Sequence, residues 1–260
     1  MSTKMTNPSI SRIIRYIFLL ILILPGLNWC VYANDQNIAL SDSLLMAINT
    51  TKNEKVKTDL YVRLARYYIN KDNEEGIKYA TGALDLAKKT GYAEGEINSE
   101  VVLSRFRLDM GDFIKANECI EHALLISNHK GIDKYIGDIF SAKALLYIHL
   151  NDYNKASDYC YKALRVYEKQ KNAHGISTVY NQIAAIYSSQ ENFDKALEYS
   201  LKILNIDLIS ADSVQLARDF SNIGSIHLKQ KSYLQAKEYF LKAIRLNTAY
   251  NQTSWLANNY

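Results

Sequence analysis

Gly76, Ala116, Ala156, Ala196 and Ala236 stand 40 residues apart without slippage, and a whole pattern travels with them. Seven positions further on come Ala83, Ala123, Ala163, Ile203 and Ala243, followed directly by Leu84, Leu124, Leu164, Leu204 and Ile244. Small residues at such places let two helices approach closely, and the aliphatic residue beside each fills the remaining space. A period in the range of about 20–50 residues implies stacked supersecondary units rather than one closed globule. It constrains the architecture far more tightly than it constrains a ligand.

The clearest unit runs from Asp219 to Leu246. Phe220, Ile223, Gly224 and His227 lie at i, i+3, i+4 and i+7, one stripe of a helix. Lys231-Ser232 follows as a polar turn, and Tyr233, Ala236, Phe240, Ala243 and Ile244 mark a second helical stripe. Two antiparallel helices result, with Gly224 expected opposite Ala236 where the axes come closest. The preceding units agree, with Tyr180, Ile183, Ala184 and Tyr187 before Phe193 and Ala196, and Phe140, Ala144 and Tyr147 before Tyr153 and Ala156. The only prolines are Pro8 and Pro25, so none interrupts the repeats.

This pattern of an aromatic, a small residue, Tyr, a turn, Ala, an aromatic and Ala resembles the tetratricopeptide repeat. The resemblance spans roughly Lys57 to Asn247. It implies an all-α fold: an α-solenoid of antiparallel helix pairs in a right-handed superhelix, with five hairpins over residues 57–250. The family's unit is about 34 residues, and the extra length here is expected in the second helix and the connection that follows it. The proline that often closes a repeat is missing; Gly91 and Gly131 sit where C-terminal caps would. Arg107 stands where a Tyr is expected, and Leu64, Ala65 and Tyr68 fit only with a one-residue deletion near Asp72. Ahead of the first hairpin, Leu40, Leu44 and Ile48 suggest a capping half-repeat within residues 34–56, with Ser41 or Asp42 as its N-cap. Trp255 and Tyr260 fall in residues 251–260, where a sixth first helix is expected to begin. That reading makes the chain the N-terminal part of a longer repeat protein; the plainer alternative is a frayed helix packed on the fifth hairpin.

Residues 1–33 differ in kind. Lys4, Arg12 and Arg15 precede the apolar run Tyr16 to Leu24, Pro25-Gly26 breaks it, and Val31-Tyr32-Ala33 offers a small-residue cleavage site. Together these form a secretory signal peptide. An uncleaved anchor is the alternative, and a lipoprotein site at Cys30 is disfavoured by the bulky Trp29. The address is therefore extracytoplasmic, periplasmic or secreted. The chain's formal charge is +4, but three basic residues and no acidic one belong to the leader. The nearly neutral remainder carries no footprint for nucleic acid or anionic lipid. Membrane contact is expected only through the N-terminal signal or a downstream span. Cys119 and Cys160 read best as small buried hydrophobes, with a disulfide between them left open.

No catalytic spacing emerges. The glycines form no phosphate-cradling cluster, and His122, His129, His149, His174 and His227 show no metal-ligand pairing. No metal, no cofactor and no enzymatic activity is expected. His227 substitutes for the repeat's Tyr and reads as a packed core residue. What remains is the surface that stacking creates. In this family the first helices line a concave groove, and the resemblance maps Arg105, Asp109, Asp138, His149, Asn181, Ser188, Arg218, Ser221, Asn222 and Lys229 onto it. Such a lining can hydrogen-bond an extended backbone and pair with a charge or two. The family's carboxylate-binding Lys/Asn/Arg constellation is matched only by Asn222, with Arg218 loosely similar.

The function expected is a non-enzymatic scaffold that binds a protein or peptide through its concave face. Behind a signal sequence, the 40-residue units look like the extracytoplasmic repeat regions of bacterial membrane signalling proteins, sensor kinases included. A self-associating structural adaptor is the alternative.

Overall fold

The computed structural model describes residues 40–210 and 213–258. The leader over residues 1–33, and the expectations attached to it, lie outside the described residues. Residues 44–250 form one compact unit.

A short helix over residues 40–50 (α1) opens the described chain. Its Leu44 and Ile48 are buried against Leu64, with Leu60, Tyr61 and Tyr67 around them. Ser41 and Asp42 are themselves helical, so neither is the N-cap of α1. Five hairpins follow: α2 (Glu54–Tyr68) with α3 (Asn73–Thr90), α4 (Ala93–Asp109) with α5 (Phe113–Lys130), and α6 (Ile136–His149) with α7 (Tyr153–Gln170). The last two are α8 (Ala173–Ser189) with α9 (Phe193–Ser210) and α10 (Ser213–Lys229) with α11 (Tyr233–Asn258). A 3-10 turn at Asp133–Tyr135 leads into α6. Each second helix then packs on the next first helix, while α2, α4, α6 and α8 also touch in succession. The fold is an all-α solenoid in which first helices form one layer and second helices the other.

The repeat columns explain the stacking. Ala116, Ala123, Ala156 and Ala163 are completely buried, as are Ala80 and Ala83. Where a column holds glycine, a neighbouring ring fills the space: a Cβ on Gly76 would meet Phe106, and one on Gly224 would meet Phe240 at 2.9 Å. The expected opposition of Gly224 and Ala236 is thus a seat for the Phe240 ring.

Helix ends follow local chemistry. Asp72, Asp112 and Asp152 cap the second helices by accepting backbone N–H groups, and Asn192 does the same for Lys195. The turn inside each hairpin contains one left-handed residue: Asn70, Gly111, Asn151, Glu191 or Lys231. The last four are 40 apart and Asn70 is displaced by one, at the place where the first hairpin is short. Gly91 and Gly131 end α3 and α5 in the left-handed conformation, and Lys171 does so after α7. Only two residues separate each of these helices from the next element. The additional length therefore sits in the helices, of 17 and 18 residues in the fourth hairpin, and the connection is not extended. At Asn251, the equivalent of Gly91, no reversal occurs: α11 continues unbroken to Asn258. Residues 251–258 prolong a second helix and do not open a sixth first helix. With no left-handed cap, the i→i−4 ladder simply carries on and satisfies the carbonyls that the reversal satisfies elsewhere.

A ladder of rings marks the face between the helices of four hairpins. Tyr61 and Tyr68 flank Tyr79, Phe140 and Tyr147 flank Tyr159, and Tyr180 and Tyr187 flank Tyr199. Phe220 and His227 flank Tyr239, with His227 stacked at 5.4 Å. The first triad is registered only if α2 is slipped by one residue, in agreement with the short turn. In the second hairpin the same places hold Glu100, Arg107 and Cys119. There Glu100 is buried and lies 2.6 Å from His122 Nδ1. His122 occupies the column of Lys162, Lys202 and Lys242, each of which lies over the central ring of its own triad.

Candidate first-helix groove

Side chains on the first helices recur at one register and so share one face of the stack. On α2 the stripe is Asp59, Arg63 and Arg66, continued by Asn70 just past the helix end. On α4 it is Asn98, Val101, Arg105 and Asp109; on α6, Asp138, Ser141, Leu145 and His149. Contacts between neighbouring hairpins join these stripes. An Arg66 Nη donates to Asn98 Oδ1 at 3.4 Å, and the Gln182 Nε2 of α8 donates to the Ser141 carbonyl of α6 at 2.9 Å. At the C-terminal ends of α2, α4 and α6, a pocket opens between Asn70, Lys71, Asn73, Asp109 and His149. Three successive hairpins thus contribute to one polar depression.

The residues mapped from sequence separate into engaged and open ones. Arg105 Nε donates to Asp109 Oδ1 at 3.1 Å, one turn apart on α4. Asp138 accepts from the Tyr167 hydroxyl at 2.6 Å; burial, with that carboxylate beside it, pushes the phenol well above its ordinary range. His149 lies 6.0 Å from the Phe113 ring and lines the pocket. Lys229 Nζ donates to Ser188 Oγ at 2.9 Å, linking α10 to α8. Ser221 donates to the Ala217 carbonyl of its own helix at 2.9 Å, so its hydroxyl is largely used up. Asn181, Arg218 and Asn222 are exposed. The pocket brings Asp109 and His149 together; Asn181, Arg218 and Asn222 stand on the more distant hairpins.

Sequence reasoning missed Asp59, Arg63, Arg66 and Asn98. On α2 the signal was present, since 59, 63, 66 and 70 are spaced i, i+4, i+7 and i+11, but the one-residue slip in the first hairpin displaced the register by which the other hairpins are read; Asn98 stands in register, in the column of Asp138 and Arg218. Asp59 is held by the Tyr92 hydroxyl at 3.3 Å, and partial burial raises its carboxyl above the usual value. Burial raises the Tyr92 phenol to about 12 in turn. Among the described residues no group of three metal-ligating side chains converges. Cys119 and Cys160 are free thiols, both pushed up to about 12 chiefly by burial, which removes the nucleophilic thiolate at neutral pH.

A family model described as Tetratricopeptide repeat matches residues 135–209 and 175–249. No curated protein sequence matches the chain significantly. Among solved structures, BtubC (BKLC) from P. vanneervenii aligns with TM-score 0.60 at 19% identity, over 84% of this chain and 92% of that one. A Rap protein complexed with Competence and Sporulation Factor aligns with TM-score 0.62 at 14% identity, over 86% and 73%. NprR in complex with its cognate peptide NprX aligns with TM-score 0.53 at 19% identity, over 92% and 68%. At these identities the likeness is one of fold.

Proposed function

We propose that this chain, which belongs to the tetratricopeptide repeat family, is a non-enzymatic scaffold that takes up a protein or extended peptide along its first helices. The observation that carries the reading is the shared register of those helices. It sets Ser141, Asn181 and Ser221 in one column on three successive first helices, with Asn98 and Asn222 in the columns beside it. Two proteins of like fold, the Rap protein and NprR, were solved with bound factors or peptides, which supports the same use of the fold here. Photocrosslinking separates this from a neutral surface. A photoreactive residue at Asn181 or Asn222 should capture the partner, and one at Glu118 or Asp158 on the second helices should not. Capture from the second helices alone would refute it.

The finer proposal is that this scaffold is the extracytoplasmic, ligand-sensing part of a bacterial signalling protein. The basic leader, apolar run and small-residue site of residues 1–33 support it. Alkaline phosphatase fused after residue 56 should be active in a bacterial host; an inactive, stable fusion would overturn the address.

Self-association is the second reading, supported by α11. Ile244 is 57% exposed, whereas its equivalents Leu84 and Leu204 are each 9% exposed beneath the following first helix. Tyr233, Leu234 and Leu241 are exposed on the same helix. Sedimentation decides: an Ile244→Asp-sensitive dimer supports it, and a monomer at high concentration removes it.

A further inference from the structure

The first-helix stripe holds both signs of charge, and its carboxylates are engaged more fully than its arginines. Each of its three carboxylates has a donor from the protein: Asp59 has Tyr92, Asp109 has Arg105, and Asp138 has Tyr167. Arg63 and Arg66, exposed on successive turns of α2, have no carboxylate partner among the described residues; Arg66 reaches only the neutral Asn98. At the places of Arg63 and Arg66, α4 has Val102 and Arg105, the latter paired with Asp109, and α6 and α8 have Ala142, Leu145, Gln182 and Ala185, with no cation. Among the described residues Arg63 and Arg66 thus stand as a pair of open arginines on hairpin one, beside a pocket that Asn70, Lys71 and Asn73 help to line, whereas Arg218 stands singly on hairpin five. Guanidinium groups bind carboxylates through paired, charge-assisted hydrogen bonds.

Resting on the groove reading above, we propose that the segment bound along the first helices is an acidic peptide whose Asp or Glu side chains lie against Arg63 and Arg66. A nucleic acid fits poorly, because its evenly spaced phosphates would run past Asp59, Asp109 and Asp138 and meet no cation at these places on α6 or α8, where Lys143 is buried and bonded to Glu121.

The test uses the intact chain and nonapeptides selected on it from a random library. Acidic peptides should be enriched, and exchanging their Glu for Gln should weaken binding by about tenfold or more. The Arg63→Gln/Arg66→Gln variant should lose affinity to the same extent and erase the difference between the Glu and Gln peptides, with its thermal melting unchanged. Lys162→Gln/Lys202→Gln, on the second helices, should bind as the parent does. Neutral or basic peptides that depend on Asn181 and Asn222, but not on the arginines, would overturn this inference and leave the groove reading standing. Failure to recover any peptide sensitive to first-helix substitution would overturn both. A single-stranded oligonucleotide that displaces the Glu peptide more tightly than the peptide itself binds would also refute it, as would a preference for phosphoserine over glutamate at equal charge count.

Discussion

Replacing Asp219 with Asn tests whether hairpins four and five are joined across a destabilising pair of carboxylates. Asp219 stands in the second turn of α10, 5% exposed, and its Oδ2 has no hydrogen-bond partner among the described residues. Burial first, and then the carboxylate of Asp207 on α9, raise it from the ordinary 3.8 to about 7, with Arg218 only partly opposing them. A shift of that size corresponds to roughly 4 kcal/mol at about 1.4 kcal/mol per unit. The sign follows from which state keeps the proton. Between about pH 4 and pH 7 the native chain holds a proton that the unfolded chain has released, so stability falls as pH rises through that window. Above the window the ionised carboxylate bears the full penalty. Asp219→Asn removes the ionisable group but leaves a buried amide in its place, so it should stabilise the chain by about 2–4 kcal/mol near pH 8. An Asn amide can also donate to Asp207, which the ionised Asp cannot. Urea unfolding followed by far-ultraviolet circular dichroism at about pH 5 and about pH 8 reads the difference directly. The parent should lose stability between the two, and the variant should be nearly flat. Parallel pH profiles for parent and variant, or a variant less stable than the parent at the higher pH, would refute the reasoning.

The same measurement checks the packing. The Tyr167 ring sits between Gly137 and Gly175, so Tyr167→Ala should cost about 3–5 kcal/mol and Tyr167→Phe, which removes only the bond to Asp138, about 1–2 kcal/mol. Gly175→Ala would place a Cβ 2.4 Å from that ring and should cost about 1–3 kcal/mol through overpacking; a neutral outcome would show the ring free to move. Gln182→Ala removes its bonds to Ser141 and should lower the urea midpoint by the equivalent of about 1–2 kcal/mol. Cys119 and Cys160 should resist alkylation near pH 8 in the folded chain and react once urea unfolds it, as mass spectrometry would report.

The 40-residue beat made the solenoid legible because the fold is built from columns, and a column is a sequence property. The alanines at 116, 123, 156 and 163 are buried in the structure for the reason their spacing implied. The caps were legible too, through Asp72, Asp112, Asp152 and Asn192 at the same interval, although the alanine column drew the reading first. Contacts between hairpins were not legible. Periodicity declares equivalent residues alike, whereas these contacts depend on how one hairpin differs from the next. The column of Ala87, Ser127, Tyr167 and Asp207 shows this: Tyr167 reaches Asp138 and two glycines, and Asp207 meets Asp219. Read column by column, Asp219 would have stood out, since Ser99, Ile139 and Val179 at its place are all buried. Glu100 in a column of Phe140, Tyr180 and Phe220 gives the same kind of signal. Asp59, Arg63 and Arg66 were missed for a different cause: one residue lost from a turn moves all of α2 out of register, and a fixed period cannot follow it.

In a stack where each hairpin contacts mainly its neighbours, stability is close to a sum of local terms. The Asp207–Asp219 joint lies between hairpins four and five, while the open arginine pair lies on hairpin one, with two whole hairpins between. Perturbations at sites without shared partners are expected to add. Asp219→Asn should therefore change the pH dependence of unfolding and leave recognition at Arg63 and Arg66 untouched, and the Arg63→Gln/Arg66→Gln variant should do the reverse. A variant carrying all three changes should show both effects at full size. Coupling between them would mean that the stack transmits strain along its length, and the partner bound at one end would then bias the joint at the other.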